Sequence, residues 1–211
     1  MLKERIKKIL EATNKKSYLK WYIKSGVDEK THWQGVRILK FVPDLWNYQE
    51  IISDYKITNV IEFGSFLGGS TIFFADILKI FQTGGKTLSV DIEDRWDPKT
   101  DRVDIQKLTA SSTSDICKVT VKKFREENPG NVLVILDSEH TEEHIYKELQ
   151  LITPLLKKGD YLIVEDALDD PGMIVAMKKF FGQNPLEYEY DKEREEKFGV
   201  TAALYGYWIK K

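Results

Sequence analysis

Acidic residues follow two apolar runs of this chain, residues 132–136 (VLVIL) and residues 161–164 (YLIV). Short runs rich in valine and isoleucine are typical of buried parallel strands. In an open α/β sheet, ligands bind at the carboxyl ends of such strands. If the two strands are neighbours, three carboxylates and one imidazole meet at this edge of the sheet. They belong to Asp137, Glu165, Asp166 and His140.

Three carboxylates in one small volume indicate a bound cation, because their like charges otherwise repel one another. Ligation by carboxylates alone favours a hard ion, Mg²⁺ before Zn²⁺. A bound Mg²⁺ orients substrate hydroxyls and lowers the pKa of one of them, and His140 is placed to accept that proton as a general base. The alternative for each acid taken alone is a helix cap, a role that fits about equally well. The presence of all three acids together favours a functional site over three separate helix caps.

A second motif overlaps this one. Residues 140–144 (HTEEH) fit H-x-x-E-H, the inverted zinc-protease pattern. That pattern requires both histidines inside one helix, whereas His140 directly follows a strand. We therefore interpret the match as coincidental and His144 as a helix-surface or packing residue. A zinc hydrolase is kept as a less favoured alternative.

A glycine-containing loop, residues 62–70 (EFGSFLGGS), follows an earlier apolar run. Gly64 permits a tight turn, and Gly68 and Gly69 let a ligand approach the start of a helix. The loop is not G-x-G-x-x-G, which disfavours a dinucleotide site. Glu62, two residues before Gly64, suits an ammonium group, and free N–H groups at the helix start suit a carboxylate. The methionine end of S-adenosylmethionine has both groups. Asp91 closes the next strand, where such folds bind ribose hydroxyls. The alternative is a strand–helix turn in which the glycines serve packing alone.

The composition limits the class of protein. The chain has 211 residues, a net charge of −2 and 42% hydrophobic residues, which fits one globular domain and argues against a nucleic-acid partner. No apolar stretch approaches the roughly 20 residues that span a bilayer. Residues 1–16 carry Lys and Glu throughout and lack the apolar core of a secretory signal. Cys117 is the single cysteine and cannot form an internal disulfide, so we expect a cytoplasmic protein. We interpret Cys117 itself as a packing residue.

The apolar and turn signals alternate from residue 57 onward. They predict strands over 59–63, 87–91, 103–109, 132–136, 161–164, 186–190 and 201–209, and helices over 70–81, 114–127, 142–156 and 171–181. This order predicts an α/β fold, a Rossmann-like, doubly wound, mostly parallel sheet of seven strands with helices on both faces.

The residues before this region predict a separate arm. Residues 2–14 indicate an amphipathic helix, residues 17–50 hold aromatic side chains without a clear period, and Pro43 begins another helix. The predicted apolar face of the first helix consists of Leu2, Ile6, Ile9 and Leu10. We predict an N-terminal arm or lid over residues 1–50 and one globular domain over residues 51–211.

A set of short motifs runs from residue 33 to the C-terminus. They are residues 33–36 (WQGV), 43–52 (PDLWNYQEII), 61–64 (IEFG), 68–70 (GGS), 90–92 (VDI), 137–140 (DSEH), 164–166 (VED), 197–198 (KF) and 205–207 (YGY). Together they resemble the cephalosporin hydroxylase family. Despite its name, members of that family are similar to S-adenosylmethionine-dependent O-methyltransferases, including macrolide-sugar and rhamnosyl methyltransferases.

The resemblance implies roles for individual residues. Asp137, Glu165 and Asp166 match the Mg²⁺ ligands of the family, and His140 matches the catalytic base of the sugar methyltransferases. The residues assigned to S-adenosylmethionine are Glu62, Gly64, Ser65, Gly68, Gly69, Ser70, Asp91, Ser111, Ser112 and Asp137. Ser111 and Ser112 match the stretch that approaches the adenine, where the family more often has Gly-Asp-Ser or Gly-Ser-Ser and this chain has Ala110 first.

The pattern and the resemblance together predict Mg²⁺-dependent methyl transfer from S-adenosylmethionine to a hydroxyl of a small molecule, in particular a sugar or glycan. His140 and Asp137 are the predicted catalytic residues. The alternative is a cofactor-binding subunit that supports a partner oxygenase without methylating anything. Trp96 fits stacking on a ligand and packing in the core about equally well. We interpret His32 as a structural residue. A homo-oligomer is left open, because oligomers are common in the family.

Overall fold

The computed structural model describes residues 2–96, 102–167 and 170–211, with the backbone alone for residues 2–13 and 28. Its first part consists of helices α1 (Leu2–Ser25) and α2 (Val27–Lys30), a hairpin of strands β1 (His32–Trp33) and β2 (Val36–Arg37), and helix α3 (Val42–Asp54). Helix α1 continues past its expected end at residue 14 and stops where Gly26 takes the left-handed region, with φ 58°. The predicted apolar face of its first turns lies outside the described side chains.

The remaining elements build a seven-stranded sheet. Its strands are β3 (Ile57–Phe63), β4 (Thr87–Asp91), β5 (Ile105–Thr109), β6 (Asn131–Leu136), β7 (Tyr161–Val164), β8 (Tyr188–Tyr190) and β9 (Tyr207–Lys210). They lie in the order β5-β4-β3-β6-β7-β9-β8, parallel from β5 to β7, with β9 antiparallel to both of its neighbours. The predicted α/β fold with a mostly parallel seven-stranded sheet is confirmed.

Helices cover both faces of this sheet. They are α4 (Gly69–Ile80), α5 (Asp115–Glu127), α6 (Glu142–Ile152) and α7 (Pro171–Gln183), with a short α8 (Lys192–Glu196) before the last strand. Within β3, Ile61 and Phe63 pack with α5, α6 and α7, whereas Ile57 and Val60 pack with α3 and α4. Because both faces are covered, the central strands are apolar throughout instead of alternating.

The C-terminal part departs from the prediction of a strand over residues 201–209. Only β9 is a strand, because the preceding residues bond to α3 instead of to the sheet. The backbone N–H of Ala202 donates to the buried carboxylate of Asp44 over 2.9 Å, and Tyr205 has φ 59°. Helix α8 was not predicted; the Asp191 side chain caps it by accepting from the N–H of Arg194.

The predicted arm shares a core with the domain. Ile38 and Tyr48 precede residue 50, and both lie in one apolar cluster with Ile51 and Val60. The division at residue 50 therefore stays a prediction. None of the described helices is both long enough and apolar enough to cross a membrane.

Candidate active site

The carboxyl ends of the parallel strands meet at one edge of the sheet. Strands β6 and β7 are parallel neighbours with Leu136 opposite Val164, so the residues that follow them are adjacent. Backbone hydrogen bonds continue past the strand ends: the N–H of Asp137 donates to Phe63, and the N–H of Glu165 donates to Leu136, each over 2.9 Å. The predicted acidic site required β6 and β7 to be neighbours, and they are.

A cavity of about 390 Å³ opens at this edge. Its size is that of an ordinary small-molecule site. Seven of the predicted site residues line it: Gly64, Asp91, Ser111, Ser112, Asp137, His140 and Asp166. The predicted catalytic residues His140 and Asp137, the predicted metal ligand Asp166 and the strand-end acid Asp91 therefore line the same cavity.

Asp137, His140 and Asp166 form the only group of metal-binding geometry among the described residues, with one ligand atom of each within 4.8 Å of the others. His140 Nε2 lies 3.3 Å from Asp137 Oδ1 and 3.7 Å from Asp166 Oδ2. Asp166 has φ 55°, a left-handed conformation that aspartate tolerates better than most residues. Such strain concentrates at functional sites.

Lys40 occupies the floor beneath this group, and sequence reasoning missed it. Its side chain is almost fully buried, and its ammonium lies 2.8 Å from Glu165 and 3.5 Å from Glu62, and donates to Asp137. The available signal was a single lysine inside an otherwise apolar stretch, residues 38–41 (ILKF). The cation that we expected between Asp137 and Glu165 is thus supplied there by the protein itself.

The charge state of this floor follows from its contacts. Burial favours a neutral amine, but the carboxylates of Asp137, Glu165 and Glu62 outweigh it and hold the pKa of Lys40 well above its ordinary value. Burial raises the pKa of Glu165, and the Lys40 ammonium opposes that rise. Lys40 is therefore a permanent cation. Glu165, bound to it, is not brought into the group of Asp137, His140 and Asp166.

Glu62 also lies in this floor instead of on the cavity wall. Its carboxylate accepts from the Thr71 hydroxyl over 2.5 Å and faces Lys40. Burial raises the pKa of Glu62, while Lys40 and the hydroxyls of Ser70 and Thr71 lower it. Lys40 therefore holds the position beside Glu62 in which we expected the ammonium of the cofactor.

The glycines of the loop make close packing. A Cβ on Gly64 would lie 1.8 Å from the carbonyl oxygen of Asp137, and one on Gly69 would lie 2.1 Å from that of Arg37. A Cβ on Gly68 would meet the ring of Trp96 at 2.8 Å. Of the three, only Gly64 lines the cavity. The packing alternative thus accounts for Gly68 and Gly69, and their contact with a cofactor stays a prediction.

Asp91 ties the loop to the end of β4. One of its carboxylate oxygens accepts from the backbone N–H groups of Ser65 and Phe66, over 3.0 Å and 2.8 Å. The other accepts from Glu93 over 3.1 Å. Asp91 lines the cavity and holds the loop in place at the same time.

Ser65 and Ser70 are buried behind the wall. The Ser65 hydroxyl accepts from the indole N–H of Trp96 over 3.1 Å, and Lys107 lies 5.0 Å from the centre of that ring. These contacts favour the packing interpretation of Trp96. Cofactor contacts from Ser65 and Ser70 stay predictions.

His144 lies on the wall of the cavity. Its Nε2 lies 2.9 Å from the Ser112 hydroxyl and 3.4 Å from the buried Glu148, so the interpretation as a helix-surface or packing residue stays a prediction. The two histidines of H-x-x-E-H belong to separate groups, because His140 faces Asp137 and Asp166 and precedes α6. The shared zinc site that the hydrolase alternative requires is therefore not formed in the described part of the chain.

The other two candidates are unremarkable in placement. His32 is exposed, with its Nδ1 2.8 Å from the carbonyl oxygen of Lys30. Cys117 is fully buried in the core, and burial raises the pKa of its thiol to about 12. Both placements agree with the structural roles predicted for them.

Comparison with known proteins extends the resemblance. The chain is 38% identical over 204 residues to the rhamnosyl O-methyltransferase of Mycobacterium leprae (strain TN), covering 92% of this chain and 89% of that protein. It is likewise 38% identical to the rhamnosyl O-methyltransferase of Mycobacterium bovis (strain BCG / Pasteur 1173P2), covering 92% and 83%.

Solved structures share the fold. An apo structure of CmcI-N160 superposes with a TM-score of 0.68 at 20% identity, covering 86% of this chain and 76% of that one. A structure of CmcI-D160 with Mg-SAM has a TM-score of 0.66 at 19% identity, covering 87% and 77%. The apo structure of CalS11, a TDP-rhamnose 3'-O-methyltransferase, has a TM-score of 0.52 at 17% identity, covering 80% and 79%.

The family match spans most of the chain. Residues 25–211 match the family described as Rhamnosyl O-methyltransferase/CmcI, which is the family that the short motifs indicated. The prediction of an S-adenosylmethionine-dependent O-methyltransferase is confirmed at the level of this family. The chain belongs to the Rhamnosyl O-methyltransferase/CmcI family.

Proposed function

We propose that this chain transfers the methyl group of S-adenosylmethionine to a hydroxyl group of a sugar or glycan, with Mg²⁺ bound beside that hydroxyl. The observation that carries the proposal is the meeting of Asp137, His140 and Asp166 on the wall of one cavity that also contains Asp91. The curated relatives are named rhamnosyl O-methyltransferases, which supports a sugar acceptor. The CmcI structures with SAH and with Mg-SAM support the two cofactors.

The cavity fits a nucleoside cofactor. Asp91 stands at the end of β4, where doubly wound folds bind ribose. Ser111 and Ser112 follow β5, and the Ser112 hydroxyl lies 3.3 Å from that of Ser138. Because His140 is the proposed base, the reactive end of the cofactor would lie beside it, at the ends of β6 and β7.

The donor set fits a hard divalent cation. Asp137 and Asp166 offer carboxylate oxygens, which Mg²⁺ prefers, and His140 offers a nitrogen, which it does not. We therefore assign the two aspartates to the metal and His140 to proton transfer. Glu165 is a further proposed ligand, but it would have to exchange its contact with Lys40 for the metal.

When bound, S-adenosylmethionine supplies the methyl group and Mg²⁺ lowers the pKa of the acceptor hydroxyl. His140 would accept the proton that the acceptor oxygen loses as this oxygen bonds to the methyl carbon, while the bond from that carbon to sulfur breaks and S-adenosylhomocysteine leaves. Asp137, 3.3 Å from His140 Nε2, favours the imidazolium that forms. The loop of Gly64 and the strand ends hold the two reactants in one orientation, which is a large part of catalysis in bimolecular reactions.

The first test is calorimetric titration of S-adenosylhomocysteine into the protein, with Mg²⁺ and then with EDTA. We expect micromolar binding, followed by methylation of a rhamnose-containing acceptor that mass spectrometry detects and EDTA suppresses. Undiminished turnover in EDTA would contradict the metal assignment. Cofactor binding without product from any sugar acceptor would favour the non-methylating partner of an oxygenase.

The N-terminal residues border the same cavity. Leu39, which follows the β1–β2 hairpin, is part of its lining. We propose that residues 1–50 cover the acceptor side of the site, as the predicted arm or lid. Removal of α1 should then alter the KM for the acceptor more than the affinity for S-adenosylhomocysteine.

A further inference from the structure

A chain of polar side chains lies behind the wall of the cavity at the start of α6. Glu148 is fully buried, and its Oε1 accepts from the Ser138 hydroxyl over 2.5 Å. His144 Nε2 lies 3.4 Å from the same oxygen, 3.2 Å from Ser138 Oγ and 2.9 Å from Ser112 Oγ. Nothing in the proposed reaction uses His144 or Glu148, so the network requires another explanation.

Its position indicates which part of a ligand it faces. Ser112 belongs to the loop after β5, which two strands separate from β6 in the order β5-β4-β3-β6, and its hydroxyl lies 3.3 Å from that of Ser138 after β6. Ser112, Ser138 and His144 all line the cavity. In the orientation proposed above, the reacting end lies at β6 and β7 and the ribose lies at Asp91. The base would then extend toward Ser112.

The hydrogen-bond pattern gives the Ser112 hydroxyl a defined direction. The proton of Ser138 is committed to Glu148. Glu148, 3.4 Å from Nε2, and Glu139, 3.3 Å from Nδ1, raise the pKa of His144 against the effect of burial. They favour an imidazolium that carries, besides the Nδ1 proton, a proton on Nε2. The nearest acceptor of that proton is Ser112 Oγ, at 2.9 Å. The Ser112 hydroxyl then accepts from His144, and its own proton can be donated either to Ser138 Oγ, 3.3 Å away, or to a ligand in the cavity.

We propose that His144, held by Glu148, is a positioning residue that turns the Ser112 hydroxyl toward a ring nitrogen of the adenine base. Ser112 is the group that touches the base, and His144 acts through it. This inference rests on the proposed function, because it presumes a nucleoside cofactor in this cavity. It gives the second histidine of H-x-x-E-H a role other than binding zinc.

The test is a set of binding measurements on the full chain with deaza analogues of S-adenosylhomocysteine. In these analogues one ring nitrogen of the base, at position 1, 3 or 7, is replaced by C–H. The wild-type protein should bind one of the three about tenfold more weakly than the parent compound, the range expected when a buried donor loses its acceptor. In Ser112→Ala and His144→Leu, the ratio of the two affinities should fall close to one.

Lys123→Ala is the control, because Lys123 is exposed on α5 and pairs with Glu127. It should keep the wild-type ratio. If His144→Leu does not fold, ¹⁵N spectra of the wild-type imidazoles serve instead. S-adenosylhomocysteine should then shift the His144 signal and leave that of exposed His32 unchanged.

The outcomes separate this inference from the proposed function. Wild-type protein that binds the parent compound and all three deaza analogues equally would overturn the role of Ser112 and His144 and leave methyl transfer standing. An unchanged ratio in both variants would do the same. Absence of binding of S-adenosylhomocysteine to the wild-type protein would overturn the proposed function itself.

Discussion

The ammonium of Lys40 lies 2.8 Å from the carboxylate of Glu165, with both side chains almost fully buried beneath the cavity. Glu62 and Asp137 surround the same ammonium. A buried cation among three carboxylates is costly to remove, because uncompensated charges then remain in a medium of low dielectric constant. Lys40 also holds one oxygen of Asp137, which leaves the other oxygen on the side of His140.

Lys40→Met should therefore destabilise the protein strongly. The expected loss in the free energy of unfolding is about 3–5 kcal/mol, the range for breaking a buried ion pair. Urea denaturation in EDTA measures it. The double variant Lys40→Met/Glu165→Gln should lose less than the single one, because one unpaired charge is removed with the cation. Lys147→Met, which removes an exposed ion pair, should unfold near the wild-type midpoint. Equal midpoints for Lys40→Met and Lys147→Met would contradict this account of the floor.

Gly64→Ala should prevent the close approach of β3 and β6. The new Cβ would lie 1.8 Å from the carbonyl oxygen of Asp137, at a backbone φ of +84°. Gly84→Ala is a matched control, since Gly84 also has positive φ, +71°, but has nothing within 4 Å of the added Cβ. We expect loss of folded protein, or a fall in the melting temperature several times that of Gly84→Ala. Similar falls in both variants would show that backbone conformation alone, and not the contact with Asp137, makes Gly64 necessary.

His140→Ala should lower turnover strongly and leave cofactor binding intact. A positioned general base typically contributes about 10²–10⁴-fold to the rate, so kcat should drop by that factor while the Kd for S-adenosylhomocysteine stays within a few fold. His32→Ala, at an exposed site, provides the comparison. A fully active His140→Ala protein would exclude His140 as the base.

Asp166→Asn should raise the Mg²⁺ concentration needed for half-maximal activity. The variant keeps the shape of the side chain and removes the negative charge of one carboxylate that we propose as a ligand of the cation. Titration of the metal-stripped protein with Mg²⁺, followed by activity, measures the change. An unaltered Mg²⁺ curve would place the metal elsewhere, and Glu165→Gln would be examined next for the same shift.

Asp44 should make part of the stability depend on pH. Burial raises the pKa of this carboxyl to about 6, although the Ala202 N–H and the Tyr207 hydroxyl bond to it. Because the folded state holds the proton more tightly than the unfolded chain, the contribution is fully present below pH of about 4 and is lost as the pH rises through about 6.

The comparison of wild type with Asp44→Asn isolates this effect. The difference between their free energies of unfolding should change, on the order of 2–3 kcal/mol, between pH of about 4 and about 7. Urea denaturation across this range measures it. Two curves that stay parallel would mean that Asp44 does not titrate there.

The sequence by itself determined the class of fold, and did so through local patterns. Strands buried on both faces are apolar throughout, and the runs 59–63, 132–136 and 161–164 show this directly. The alternation with helices then leaves few topologies. Because side chains at strand ends follow the register of the sheet, the proximity of Asp137, His140 and Asp166 was predictable from spacing once β6 and β7 were assumed to pair.

Only the tertiary structure decided which cation the buried carboxylates meet. Lys40 comes from a segment between the hairpin and α3, 97 residues from Asp137 in the chain, and no local pattern relates the two. The same holds for His144, whose contact with Ser112 joins helix α6 to the loop after β5. The extent of the last strand also depended on a distant group, because Asp44 draws the Ala202 backbone away from the sheet. Contacts between residues far apart in the chain are set by how the elements pack, and a sequence pattern reports only what neighbours along the chain share.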